Sequence, residues 1–202
     1  MKTIILYCLS FLIAAPAWSA TILSGVVDLT ITADLDGIYL DLESAMLTSI
    51  DDDFSDSQVN FFFGGDGVFS GDRFLPARIG TGSSDPVRNL PEASVVSSEM
   101  FFADPGFGGS MMHVGVGANQ FENGMEGYLG FKFDRLDDGN FTFGWMRVTL
   151  TNGSSTGTVH EWAYSDTPGE IILVGGSVIP EPASGMMLLL TSCGIAFLRR
   201  KR

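Results

Sequence analysis

Residues 127–150 read GYLGFKFDRLDDGNFTFGWMRVTL, and this stretch decides the fold. Successive side chains of a β-strand point to opposite faces, so apolar residues at every second position mark a buried face. In the first half, one face holds Leu129, Phe131 and Phe133, and the other holds Gly130 and Lys132. In the second half, one face holds Met146, Val148 and Leu150, and the other holds Phe143, Trp145 and Arg147. Because both faces are largely apolar, the pattern predicts a hairpin, with its turn at 137–140, in the middle of a covered sheet.

Further predicted strands surround this hairpin. A third strand, 157–164, follows a turn rich in glycine and serine and extends the meander. Glycine-rich turns such as 64–67 and 80–84 separate short apolar and aromatic runs elsewhere. The full set of predicted strands is 21–32, 37–42, 58–63, 94–102, 127–133, 140–150, 157–164 and 170–174. The pattern predicts an all-β fold, a single antiparallel β-sandwich of jelly-roll-like type.

The first 19 residues have the order of a secretory signal peptide. Lys2 precedes an apolar run from Ile4 to Ala15, and small residues follow. A cut after Ser19 places the small Ala17 three residues from the new end, whereas a cut after Ala20 places Trp18 there. We therefore favour Ser19 over Ala20 as the last residue of the leader. The alternative is an uncleaved anchor, but the run is shorter than the roughly 20 apolar residues of a membrane span.

Residues 179–202 form a second segment that differs from the domain. Pro180, Glu181 and Pro182 precede an apolar stretch, 185–198, which predicts a transmembrane helix. The chain then ends in four basic residues, Arg199, Arg200, Lys201 and Arg202. A basic cluster beyond an apolar segment stays on the cytoplasmic side and stops export. The apolar stretch is short for a permanent span, so it predicts a transient one.

This tail resembles the PEP-CTERM sorting signal of Gram-negative bacteria. The shared features are the Pro-Glu-Pro tripeptide at 180–182, the apolar helix and the basic end, combined with a leader at the other terminus. The resemblance implies that exosortase, a membrane-embedded cysteine transpeptidase-like enzyme, cleaves the chain near the tripeptide. It also implies partners in the export machinery, passage through the inner membrane, and delivery to the outer surface or the exopolysaccharide matrix. The alternative is a tail anchor that is never cut.

The domain between the two ends, 20–178, is acidic and free of cysteine. Both cysteines, Cys8 and Cys193, lie in the ends, so the domain gains no stability from disulfides. Five of the 11 basic residues and one of the 24 acidic residues also lie there, which leaves six basic against 23 acidic residues. This balance excludes nucleic acid as a partner, because such binding requires Lys and Arg at phosphates. It suits solubility, divalent cations or basic partners.

A second resemblance extends over the domain itself. The segments 127–133, 143–148 and 161–164 are similar in order and spacing to a block that recurs in PEP-CTERM proteins of exopolysaccharide-forming bacteria. The opening segments 24–29 and 37–42 are also similar to that group. The resemblance implies a secreted β-rich module without assigned biochemistry, and it supplies no catalytic residues.

Enzymatic chemistry has little support in the sequence. The histidines are His113 and His160, and none of the common nucleophile, zinc or phosphate motifs occurs. Strand alternation predicts that His160 and Glu161 point to opposite faces and so do not pair. We therefore predict a non-enzymatic protein. A glycan-active enzyme is an alternative, because paired carboxylates suffice for glycoside hydrolysis and the domain has many.

Two binding hypotheses remain from the sequence. Asp51, Asp53 and Asp56 lie in an acidic run, and the alternating oxygens of Asp51, Asp53 and Ser55 are similar to a calcium loop. The run departs from that loop at position six, which is Asp56 instead of glycine, and at position twelve, which is Phe62 instead of glutamate. We expect no cofactor, with calcium at these residues as the alternative. Trp145, Trp162 and Tyr164 are either core residues or an exposed platform for sugar rings. We predict an exported cell-surface or matrix protein, with a carbohydrate-binding module for exopolysaccharide as the alternative.

Overall fold

The computed structural model describes residues 20–32, 34, 37–49, 59–62, 67–82, 85–104, 117–151 and 156–176. The regular secondary structure of these residues is all β, and every strand pair is antiparallel. Within the same residues, no helix has the length and apolar character needed to cross a membrane. The predicted leader, 1–19, and the predicted tail, 179–202, lie outside the described residues. The all-β prediction is confirmed.

The described strands follow one another between Thr21 and Leu173. They are β1 (Thr21–Leu23), β2 (Leu29–Thr32), β3 (Ile38–Asp41), β4 (Met46–Thr48), β5 (Val59–Phe62), β6 (Gly67–Phe69), β7 (Phe74–Pro76), β8 (Asn89–Leu90), β9 (Val95–Val96), β10 (Glu126–Asp134), β11 (Phe141–Thr149), β12 (Thr156–Ser165) and β13 (Ile172–Leu173).

Three long strands, β10, β11 and β12, form the centre of a seven-stranded sheet. β10 and β11 form the predicted hairpin, in which Leu129 lies opposite Met146 and Phe133 opposite Thr142. Two short strands, β7 and β8, share the outer edge of β10, and two others, β1 and β2, share the outer edge of β12. The first strands of the domain therefore pair with one of the last.

Both faces of the central strands are buried, as the sequence predicts. The inner face packs against a four-stranded sheet of order β4-β3-β5-β6, and the two sheets share one core. The largest inner-core side chains are Phe61, Phe74, Phe121, Phe131, Phe133, Trp162 and Tyr164. The outer face packs in part against the β9–β13 pair, in a smaller core that contains Phe143 and Trp145. This two-core, sandwich-like arrangement explains why both faces of the 127–150 hairpin are apolar.

The structure differs from the predicted strands in three ways. The predicted strand 21–32 is two strands, interrupted at 24–28, and the predicted strand 94–102 is strand only at Val95–Val96. The four strands β4, β6, β7 and β8 have no predicted counterpart. Each has only two or three residues, which is too short for a two-residue period to be recognised. β7 also ends in Pro76, which strands accept at an edge because proline has no amide N–H to donate.

Candidate functional site

A β-bulge in β12 creates the most elaborate polar site in the described part of the chain. Arg147 pairs with Glu161, but the next residue, Val148, pairs with Val159, so His160 is an extra residue in the ladder. A bulge of this kind places consecutive side chains on the same side of the sheet. The prediction that His160 and Glu161 point to opposite faces is therefore wrong, because it assumed an unbroken two-residue period.

The bulged His160 is hydrogen-bonded through both ring nitrogens. Its Nδ1 is 2.7 Å from Oδ1 of Asp28, and its Nε2 is 2.8 Å from Oγ1 of Thr149. Oε1 of Glu126 lies 3.7 Å from the same Nε2. An ionised carboxylate only accepts hydrogen bonds, so Nδ1 donates to Asp28. In a neutral ring Nε2 then accepts the proton of the Thr149 hydroxyl, and in a charged ring it becomes a second donor.

The interruption between β1 and β2 accommodates this bulge. The amides of Val27 and Asp28 both donate to the carbonyl oxygen of His160, over 2.8 and 3.3 Å. Asp28 has a φ of 48°, in the left-handed region that aspartate enters more readily than most residues. The backbone turn thus brings the Asp28 carboxylate to Nδ1 of the histidine ring. The segment between β1 and β2 therefore binds both the backbone and the side chain of His160.

Arg147 connects the two glutamates of the site. Its Nε donates to Oε1 of Glu161 over 2.8 Å, and its Nη1 donates to Oε2 of Glu126 over 2.9 Å. Burial acts to lower the pKa of Arg147, but the hydrogen bonds and charges of the two glutamates outweigh it and raise that pKa. The guanidinium is therefore a fixed positive charge between two carboxylates. We call the set of Asp28, Glu126, Arg147, Thr149, His160 and Glu161 the outer polar cluster.

Tyr128 lies next to this cluster on the same face of β10. Its ring packs edge-on against Trp145 with centroids 5.7 Å apart, and it is only partly buried. Burial raises the pKa of Tyr128, the Glu92 carboxylate raises it further, and Arg147 opposes this shift. A partly exposed aromatic ring beside an arginine and several carboxylates is chemically suited to hydroxylated ligands.

The contacts within the cluster are compatible with two roles, one catalytic and one structural. Hydrogen bonds connect the Thr149 hydroxyl to the His160 ring, and the ring to the Asp28 carboxylate. Hydrolases arrange a nucleophile, a base and an orienting acid in this order. The same contacts also join β11, β12 and the β1–β2 segment and thereby fix the bulge. With three carboxylates and one arginine, the cluster carries net negative charge when His160 is neutral.

Of the two interpretations of Trp145, Trp162 and Tyr164, burial in the core is confirmed and the exposed platform is wrong. Trp145, Trp162 and Tyr164 are only 2%, 1% and 2% exposed. Trp162 and Tyr164 belong to the inner core, whereas Trp145 belongs to the outer core on the other face of the sheet. Side chains buried on opposite faces of one sheet cannot stack on a common sugar. These residues stabilise the fold.

The remaining predicted sites are not covered by the described residues. The calcium hypothesis at Asp51, Asp53 and Asp56 stays a prediction, as do the sorting motif 180–182, the basic end 199–202 and Ser19. His113 also lies outside. Among the residues that the structure describes, no group of three or more His, Cys, Asp or Glu side chains is arranged to hold a metal ion. Of the predicted cleavage residues, Ala20 is described.

Sequence reasoning missed Asp28, Glu126, Arg147 and Thr149 as members of a site. One signal was present, because Glu126, Arg147 and Thr149 occupy the same face as Trp145 in the predicted hairpin and so interrupt an apolar surface with polar groups. Asp28 gave no signal, since it lies 132 residues from His160.

Comparison with protein-family models, with curated proteins and with solved structures finds no match for this chain.

Proposed function

We propose that this protein is exported, carries a PEP-CTERM sorting tail, and is processed by exosortase for the cell surface or the extracellular matrix. The observation that carries the proposal is the order of the tail: Pro-Glu-Pro at 180–182, an apolar stretch, and four basic residues at the end. The leader at 1–19 supports it.

Exosortase-dependent loss of the tail is the expected result in the producing bacterium. We expect the intact mass of the protein from envelope and medium to lack both the leader and the basic end. In a strain without exosortase, the mass should still include Arg199 to Arg202, because the apolar stretch then holds the chain in the membrane. A matched variant, Glu181→Ala with both prolines kept, tests the motif separately from the apolar stretch. A chain that keeps its basic end in both strains would contradict the proposal and indicate a tail-anchored protein.

For the architecture, we propose a jelly-roll-like sandwich. The pairing of the N-terminal β1 with the near-C-terminal β12 supports it, since jelly rolls bring distant strands together. The consecutive meander β10-β11-β12 is a departure from that scheme.

For the domain, we propose a non-enzymatic role, with polysaccharide binding as a second candidate function. The observation that favours binding is the outer polar cluster beside Tyr128, since carboxylates and an arginine are suited to sugar hydroxyls. The cluster has three carboxylates and one arginine, so its net charge is negative. The ligand class is therefore a neutral or amino polysaccharide and not one rich in uronic acids, which are negatively charged.

Loss of binding in cluster variants is the expected result for this second candidate. We expect Arg147→Gln and Glu161→Gln to reduce retention on isolated matrix polysaccharide at least about tenfold, because a hydrogen bond to a charged group contributes about 1.5–3 kcal/mol. Arg135→Gln is the matched control, since it removes another Arg–Glu pair, with Glu43 at 3.2 Å. Equal retention of all forms would reject binding at this cluster. Shortening of the polysaccharide that is lost in Thr149→Val would instead identify a glycan-active enzyme.

A further inference from the structure

The first residue that the structure describes, Ala20, is hydrogen-bonded to Asp166, the residue that follows β12. Its amide N–H donates to Oδ1 of Asp166 over 2.8 Å, and the amide of Asp166 donates to the carbonyl oxygen of Ala20 over 2.9 Å. The next residue, Thr21, lies opposite Ser165 in the ladder between β1 and β12. The paired structure therefore extends one residue before β1.

The Asp166 carboxylate is held in position by its own end of β12. The Thr167 hydroxyl donates to the same Oδ1 over 2.9 Å. The hydroxyl of the buried Ser165 accepts the Thr167 amide and donates to the Thr167 carbonyl, both over 3.1 Å. These hydrogen bonds all lie within residues 165–167, so they orient the carboxylate toward the nitrogen of Ala20 independently of the N-terminal segment.

We infer that the leader is removed at the Ser19–Ala20 bond and that Asp166 binds the α-ammonium group of Ala20 in the mature chain. The inference rests on the proposed export. Hydrolysis consumes one water, breaks the bond between the Ser19 carbonyl carbon and the Ala20 nitrogen, and leaves a carboxylate on Ser19 and an ammonium on Ala20. The ammonium brings a positive charge and three donors to a site where the uncut chain has one neutral donor. A charge-assisted hydrogen bond to Asp166 results.

The alternative cut, after Ala20, fits the structure less well. It would remove both hydrogen bonds between Ala20 and Asp166, and the new ammonium would lie on Thr21, opposite Ser165 in the ladder. The sequence alone favoured Ser19 because Ala17, and not Trp18, then lies three residues before the cut. The Asp166 contact is an independent argument for the same bond.

The first test is the N-terminal sequence of the protein recovered outside the inner membrane. We expect it to begin at Ala20. A chain that begins at Thr21, or that keeps the leader, would overturn the inference. The mass of the C-terminal peptide from the same sample reports on the tail, so failure of the sorting proposal is recognised separately.

The second test addresses the ammonium group itself. Acetylation of the α-amino group of the purified mature protein removes the charge and leaves an N–H donor. Lys132 is the only lysine between the two ends, so peptide mapping can locate the modification. We expect acetylation to lower the melting temperature by about 1–4 °C in the native protein, the range for one partly exposed ion pair in a domain of this size.

The matched variants decide whether Asp166 is the partner. Acetylation should have no further effect in Asp166→Asn. It should have its full effect in the control Asp137→Asn, which changes an exposed aspartate. An equal decrease in the native protein and in Asp166→Asn would show that the ammonium has no special relation to Asp166.

Discussion

Replacing Trp162 with alanine is expected to lower the free energy of unfolding by about 3–5 kcal/mol. Trp162 is 1% exposed and lies in the core that the seven-stranded and four-stranded sheets share. Its Nε1 donates a hydrogen bond of 3.0 Å to the carbonyl oxygen of Leu42, the residue that follows β3. The substitution therefore leaves a large cavity and also removes one hydrogen bond to a buried residue. Because domains are stable by only about 5–15 kcal/mol, the loss is a large share of the total.

Urea denaturation of the purified domain, followed by circular dichroism, measures this effect. Trp162→Phe separates its two causes, since it keeps most of the ring volume and loses the donor; we expect a decrease of about 1–2 kcal/mol. Leu136→Ala is the surface control, because Leu136 is 64% exposed, and should change stability by less than about 0.5 kcal/mol. Similar values for the alanine variants of Trp162 and Leu136 would mean that Trp162 does not join the two sheets.

Replacing Gly144 with alanine is expected to destabilise the domain by about 1–3 kcal/mol, although the change adds only one methyl group. Gly144 lies directly opposite Phe131 in the β10–β11 ladder. A Cβ atom at this position would overlap the Phe131 ring and would lie 2.8 Å from the carbonyl oxygen of Ala163. The phenylalanine ring covers the glycine and fills the space of its missing side chain. An alanine displaces that ring from a core in which it contacts Phe74 and Phe133.

Gly71→Ala is the matched control for the backbone effect of removing a glycine. A Cβ atom at Gly71 would meet only the edge of the Phe69 ring at 3.7 Å, which is an ordinary contact. We expect the control to be neutral or to stabilise by up to about 1 kcal/mol, because alanine restricts the unfolded chain. Thermal unfolding of both variants by calorimetry gives the comparison. If Gly144→Ala melts at the same temperature as Gly71→Ala, then Phe131 does not occupy the space above Gly144.

The sequence predicted the central hairpin with its faces, because alternation is a local property that a run of nine residues repeats several times. Leu129 and Met146 face the inner core, and Trp145 faces the outer one, as the two-residue period requires. The prediction failed at His160, where a single extra residue reverses the alternation. A bulge leaves the composition of a strand unchanged, so the period gives no warning of it.

The role of the aromatic residues could not be read from the sequence either. Tryptophan suits both a core and an exposed sugar platform, so residue type alone does not decide where Trp145 and Trp162 lie. Their burial depends on the four-stranded sheet on one face and on the β9–β13 pair on the other. The predicted strands 94–102 and 170–174 contain β9 and β13, but the sequence does not show that these two strands pair and cover Trp145.

By itself, the amino-acid sequence determined that the domain is built from β-strands, which residues of its central hairpin share a face, and that it has no cysteine to bridge. These properties depend on residue type and on neighbours one or two positions away. Only the tertiary structure decided that Asp28 meets His160, that Ala20 meets Asp166, and that the outer polar cluster exists. The first two contacts join residues more than 130 positions apart, and the cluster as a whole depends on which strands lie at the edge of β12 and on one bulge. Local preferences of the chain carry no information about either.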